Sequence, residues 1–287
     1  MQQTLNPLVS LELLDRRLEA PTLFRLWHLS SLDAPAVATV WSLGFAKATG
    51  VQLPEWVPVL LFLVTWCVYI SDRLLDARAA FRARQIHRLR ERHHFHWQHR
   101  RVFFPLALVA ACIGTWIVLS FMPCGARERN ALLALAGVTY FSIVHIQARL
   151  LALLPKELLV ALLFTMGCVL PTLGRIGTIP SALVTVIVFF VVLAWLNCHA
   201  IERWESVSET FSGLQIRTAA GLLAMAGLIG AIILFAEHSN ETVLLGAGAA
   251  SAAMLAVLDR IRGRLTPLTL RTAADLLLLT PLVLLLR

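Results

Sequence analysis

Charged side chains are scarce in this sequence. Asp, Glu, Lys and Arg make up 15% of its 287 residues, against 58% hydrophobic. With a mean hydropathy of +0.75, there is too little polar surface to enclose the apolar residues in water, which excludes a soluble domain and predicts a polytopic membrane protein. Paired cysteines are lacking as well. Cys67, Cys112, Cys124, Cys168 and Cys198 are scattered, four of them inside apolar runs, so neither a disulfide framework nor a cysteine zinc site is expected. Nothing at the N-terminus resembles a secretory signal, because Glu12, Asp15, Arg16, Arg17, Glu19 and Arg25 precede any long apolar run, and the mature chain is expected to begin near Met1. Internal repeats are missing and acids deep in the apolar runs are few, which argues against a transporter without removing it as an alternative.

Apolar length is what the chain has in abundance. Runs at about 34–50, 55–72, 102–122, 129–147, 155–174, 179–200, 216–236, 241–258 and 272–286 compare with the ~20 residues needed to cross a hydrocarbon core. They predict an all-α membrane bundle of about nine transmembrane helices over residues 34–287, or eight if a short terminal run does not span. Residues 1–33 precede it, with Leu8, Leu11, Leu14 and Leu18 on one face of a helix expected to lie in the interface. If the N-terminus is cytoplasmic, twenty of the 25 Lys and Arg residues fall inside, leaving Lys47, Arg127, Arg129, Arg175 and Arg287 outside. Such a bias predicts N-in, C-out. The net charge of +8 therefore concentrates at one membrane face, where anionic headgroups or a phosphorylated ligand explain it better than nucleic acid.

Two polar constellations close apolar runs on that inner side. In Tyr69-Ile70-Ser71-Asp72-Arg73-Leu74-Leu75-Asp76-Ala77-Arg78, a helix would put Asp72 and Asp76 on one face. Carboxylates at that depth suit a cation bridging to an anionic ligand, and equally a solvated helix end beside membrane-flanking arginines. The second, Asn197 to Glu205 with Glu209 beyond, sets His199, Glu202, Glu205 and Glu209 in a stripe by the same spacing. Between them, Lys156 opens a run where it can reach an anion or simply snorkel, and Asp275 enters the last run near its inner end. The inner loop 73–101, the largest hydrophilic segment, carries His93, His96 and His99 every third residue. They form either a metal-binding face or part of a basic, headgroup-facing loop.

Acidic ends after spans two and six resemble the layout of the UbiA superfamily of membrane-embedded prenyltransferases, and the likeness covers nearly the whole chain. Asp72-Arg73-Leu74-Leu75-Asp76 is similar to the second half of that family's first motif, Asn-Asp-x-x-Asp-x-x-x-Asp. Lys156 through Pro171 with Gly167 looks like its fifth span, Asn197 through Glu205 like its second motif, and Gln215 through Ala220 like the Arg-Thr-x-Ala that follows. Val68 and Tyr69 stand where the first motif begins Asn-Asp, Ile201 replaces the second motif's first aspartate, and the loop lacks the usual Arg-Pro signature.

The resemblance implies a Mg²⁺-dependent enzyme acting on a polyprenyl diphosphate, transferring the prenyl group to a lipophilic acceptor or cyclising it. In that reading Asp72 and Asp76 hold one Mg²⁺, Glu202 and Glu205 with Asn197 hold or orient a second, and Arg73, Arg78, Arg82 and Lys156 meet the diphosphate. Tyr69 would face the allylic cation, and the expected location is a bacterial inner membrane. The alternatives are a UbiA-like protein that binds isoprenoid or lipid without chemistry, a metal enzyme built on the histidine loop with His199 and Glu202, and a transporter.

Overall fold

A computed structural model of the chain describes residues 22–82, 91–146, 156–205 and 215–286, the side chains of 22 and 144–146 excepted. The helix expected over residues 8–19, and Glu209, lie outside the described residues. Leu, Val, Ile, Ala and Phe dominate long runs that have no water to satisfy their backbone, and the helix answers that by bonding every interior N–H to its own segment. The helices are α1 (Thr22–Leu29), α2 (Asp33–Ala48), α3 (Trp56–Arg82), α4 (Glu91–Gln98), α5 (Arg100–Phe121) and α6 (Cys124–Ile146). They continue with α7 (Lys156–Leu173), α8 (Ser181–Glu205), α9 (Ile216–Ala236), α10 (Thr242–Ile261), α11 (Pro267–Leu277) and α12 (Leu282–Leu285). Among the described residues six helices, α3, α5, α7, α8, α9 and α10, are long and apolar enough to cross a bilayer. The protein is thus a multi-pass helical membrane protein. Many large apolar side chains on these helices face outward, including Leu106, Val109, Trp116, Leu222 and Ile232, as a lipid-facing surface requires.

The other three expected spans take different forms. The run at 34–50 becomes the 16-residue α2, ended at Gly50, whose φ of 69° is the left-handed value that glycine adopts without strain. The run at 129–147 lies in α6, a 23-residue helix that starts earlier, at Cys124, and carries Arg127, Glu128 and Arg129 in its first two turns. The run at 272–286 is broken. Helix α11 starts at Pro267 with Thr266 capping the Thr269 amide at 3.2 Å and stops ahead of Thr280-Pro281, where proline removes an amide donor. One further expectation changes: α3 does not end at residue 72 but runs on to Arg82, so Asp76, Arg78 and Arg82 lie within a helix and not in a loop.

The core forms where α2, α7, α8, α9 and α10 meet, around Trp41, Phe45, Phe190, Leu183, Leu193 and Leu244. Trp41 stacks on Phe190 with ring centroids 3.8 Å apart and donates its indole N–H to the Leu278 carbonyl at 2.8 Å, fixing α2 to the turn after α11. Gly227 of α9 and Gly248 of α10 admit the Phe189 ring of α8. A methyl group at Gly227 would sit 2.6 Å from that ring, so glycine is what lets these helices approach.

Candidate functional site

The polar residues gather at one end of the bundle, where α3 and α8 finish, α2 begins and α11 crosses. Helices α1 and α2 are joined through Ser31, whose φ of 61° is uncommon for a residue with a side chain and costs on the order of 1–3 kcal/mol. The turn brings a buried imidazole and a buried carboxylate together: His28 Nδ1 lies 2.5 Å from Asp33 Oδ2, with the two side chains 0% and 2% exposed. Asp275 of α11 approaches from a third direction, its Oδ2 3.9 Å from the same nitrogen. Asn197 of α8 donates from Nδ2 to Asp275 Oδ1 at 3.3 Å.

Ser31 also anchors a chain of donors and acceptors. Arg73 donates to its hydroxyl and to the His28 carbonyl at 3.4 Å. The hydroxyl lies 3.2 Å from His96 Nε2, while His96 Nδ1 donates to the Arg92 carbonyl at 2.8 Å. Since a carbonyl can only accept, His96 is protonated on Nδ1, and Nε2 takes the Ser31 proton.

The two acidic ends meet neighbouring residues of one short helix. Asp76 Oδ2 lies 3.5 Å from His93 Nε2, and Glu205 accepts from Arg92 at 3.2 Å. Glu205 also accepts from Arg271 of α11 at 3.2 and 3.3 Å. Asp72 is half-buried and Asp76 exposed, whereas Glu202 is exposed at the end of α8. Arg78, Arg82 and Lys156 are exposed. Arg73, expected at the surface, is instead buried at 2% exposure, because Ser31 and the end of α1 supply its acceptors. Its guanidinium lies 5.8 Å from the Tyr69 ring centroid, so that ring already faces a cation one helical turn away. The histidine loop does not assemble as one metal face. His96 uses both nitrogens, His93 faces Asp76, and His99 is exposed with Nδ1 on the Phe95 carbonyl at 2.8 Å.

Burial sets the protonation of the histidines. It pushes His28 below its ordinary value against the pull of Asp33, with Arg271 and Arg73 acting in the same direction as burial. For Asp33, burial opposes ionisation, but the hydrogen bond from His28 and the charge of Arg73 hold the carboxyl below the usual range. The pair is therefore a neutral imidazole donating to a carboxylate. Burial likewise lowers His93, and brings His96 down to about 4.

Four residues central to this site escape sequence reading: His28, Ser31, Asp33 and Arg92. The five-residue step from His28 to Asp33 matches no helical period, since a turn and not a helix joins them. Arg271 was one basic residue among many, although its four-residue step to Asp275 repeats the spacing of Asp72 and Asp76. No family model, curated protein or solved structure matches the chain.

Proposed function

We propose that the protein is a UbiA-like integral membrane enzyme of about nine spans, N-terminus cytoplasmic, in a bacterial inner membrane, acting on a polyprenyl diphosphate with Mg²⁺. The observation that carries the reading is the approach of the α3 and α8 acidic ends to adjacent residues of α4, Asp76 at His93 and Glu205 at Arg92. Exposed cations, Arg78 and Arg82 on α3 and Lys156 at the start of α7, add charge suited to a diphosphate.

The donor set fits Mg²⁺ at the first motif and not at the second. Asp72 and Asp76 are oxygen donors one helical turn apart with access to water, which suits an ion that keeps part of its hydration shell. Glu205 has its carboxylate engaged by Arg92 and Arg271, and serves as an anchor for α4 and α11. Asp72 and Asp76 would hold the ion, which supplies charge neutralisation of the diphosphate when bound. Arg78, Arg82 and Lys156 bind the phosphate oxygens and offset the charge that grows on them as the carbon–oxygen bond breaks. Tyr69, pressed by Arg73, orients that arginine at the base of the site. A lipophilic acceptor completes the transfer, or the prenyl chain cyclises on itself.

The test is binding of geranylgeranyl diphosphate to detergent-purified protein, with Mg²⁺ and with EDTA, for the native chain and for Asp72→Asn and Asp76→Asn. Expected is Mg²⁺-dependent binding that each substitution weakens at least tenfold. Binding indifferent to Mg²⁺ and to both substitutions would favour a second reading, an isoprenoid- or lipid-binding protein without chemistry, which the locked Glu205 supports. No binding at all would refute both.

A further inference from the structure

Asp33 and Asp275 lie side by side with, among the described residues, no arginine hydrogen-bonded to either. With His28 they form the group of three, among the described residues, whose potential ligand atoms all lie within 4.8 Å of one another. Among those residues neither carboxylate is ion-paired to an arginine: Arg73 donates to Ser31 and the His28 carbonyl, and Arg271 to Glu205. A buried carboxylate and a second that is 18% exposed, so close together, need either a proton or a cation between them. A second observation points to the cation. Asn197 is 4% exposed, and while its amide nitrogen donates to Asp275, its Oδ1 is buried without a partner. The amide nitrogen faces Asp275, and turning the amide over exchanges it for that oxygen, which then offers a lone pair to a cation at the cluster.

We propose that His28, Asp33 and Asp275, with Asn197 Oδ1 as fourth donor, form a binding site for a divalent first-row transition ion. One imidazole nitrogen with three oxygens suits Zn²⁺, Mn²⁺ or Fe²⁺ more than Mg²⁺, which takes oxygen alone. Binding displaces the Nδ1 proton of His28, moves the tautomer to Nε2, and replaces the His28–Asp33 hydrogen bond by two bonds to the ion. The two carboxylates balance its charge. The site ties α1, α2, α8 and α11 together, and it is separate from the Asp72 and Asp76 carboxylates and independent of the diphosphate reading.

The test uses the full chain in detergent, stripped with EDTA and titrated with Co²⁺, whose visible absorption reports a protein-bound ion. Expected is one saturable equivalent per chain, displaced by Zn²⁺, lost in His28→Gln and Asp275→Asn, and retained in His99→Gln. Asn197→Ala keeps the other three donors and is expected to weaken Co²⁺ at least tenfold, since losing a direct donor costs no less than losing a partner that only orients one, and it decides the matter if Asp275→Asn does not purify as a single species. The proposal is overturned if the native chain takes up no Co²⁺, if binding survives Asn197→Ala undiminished, or if His99→Gln removes it, which would place the ion on α4. Uptake of none would leave the two carboxylates sharing a proton.

Discussion

Removing the charge of Glu205 should expose how much the polar end of the bundle depends on one carboxylate. It accepts from Arg92 at 3.2 Å and from Arg271 at 3.2 and 3.3 Å, and the three side chains are 12%, 9% and 17% exposed respectively. Glu205→Gln leaves two cations in a poorly hydrated place with one neutral acceptor between them. Breaking a buried pair from one side costs ~3–5 kcal/mol, and the amide oxygen retained by Gln puts this variant at the lower end, about 3 kcal/mol. For a chain of this size each kcal/mol moves Tm by roughly 2–4 °C, so the midpoint should fall by about 6–12 °C. The readout is tryptophan fluorescence, using the eight tryptophans, during a ramp at fixed detergent and scan rate. Glu237→Gln, at an exposed position, should stay within about 0.5 kcal/mol of the native chain. Adding Arg271→Met to Glu205→Gln should recover part of the loss, because the second substitution removes one stranded charge. A drop below about 2 °C in Glu205→Gln would refute the reasoning and show these contacts to be solvated.

Three further outcomes follow from the geometry. Gly227→Ala should destabilise by ~1–3 kcal/mol in the same ramp, since the new methyl group meets the Phe189 ring at 2.6 Å and the Ala249 Cβ at 2.9 Å; no change would mean that α9 and α10 pack less closely. Trp41→Phe should cost about 2 kcal/mol, from the lost bond to the Leu278 carbonyl and the lost ring volume, read as a lower Tm. His96, neutral when folded with a pKa of about 4 against an ordinary 6.5 and with Arg73, His93 and His99 pressing the same way, gives a pH dependence. The unfolded chain binds its proton first, so stability is complete above about pH 6.5 and falls as pH drops toward 4, by at most ~1.4 kcal/mol per unit. His96→Gln should flatten that slope, and an unchanged slope would assign it to other groups.

Much of the bundle was legible because hydrophobic length is a local property. Six of the nine expected runs became helices long and apolar enough to span, and the Asp72–Asp76 and Glu202–Glu205 spacings landed on helices as helical period requires. Three runs, 34–50, 129–147 and 272–286, did not become such helices among the described residues. A run such as 272–286 reads as one span until Pro281 is weighed against it, and 34–50 reads as a span although its helix ends at Ala48. The histidines misled for another reason. A three-residue step places rings on one face, but α1 packs against α4 and takes His96 into a bond with Ser31, which no spacing within the loop announces.

By itself the sequence determined the class of the protein, since an apolar chain of this length has no stable fold in water, and it determined which ends of which helices would carry charge. Tertiary structure decided which charges meet. Arg73 and Glu205 are a surface cation and a candidate ligand when read along the chain; in the fold one is sealed beneath Ser31 and the other is held by two arginines. His28, Asp33 and Asp275 are separated by up to 247 residues and share no periodic pattern, and a left-handed turn at Ser31 and the crossing of α11 bring them together. Apolar burial acts on every residue according to its type, so it can be read from composition, whereas a buried polar contact depends on which partner the packing supplies.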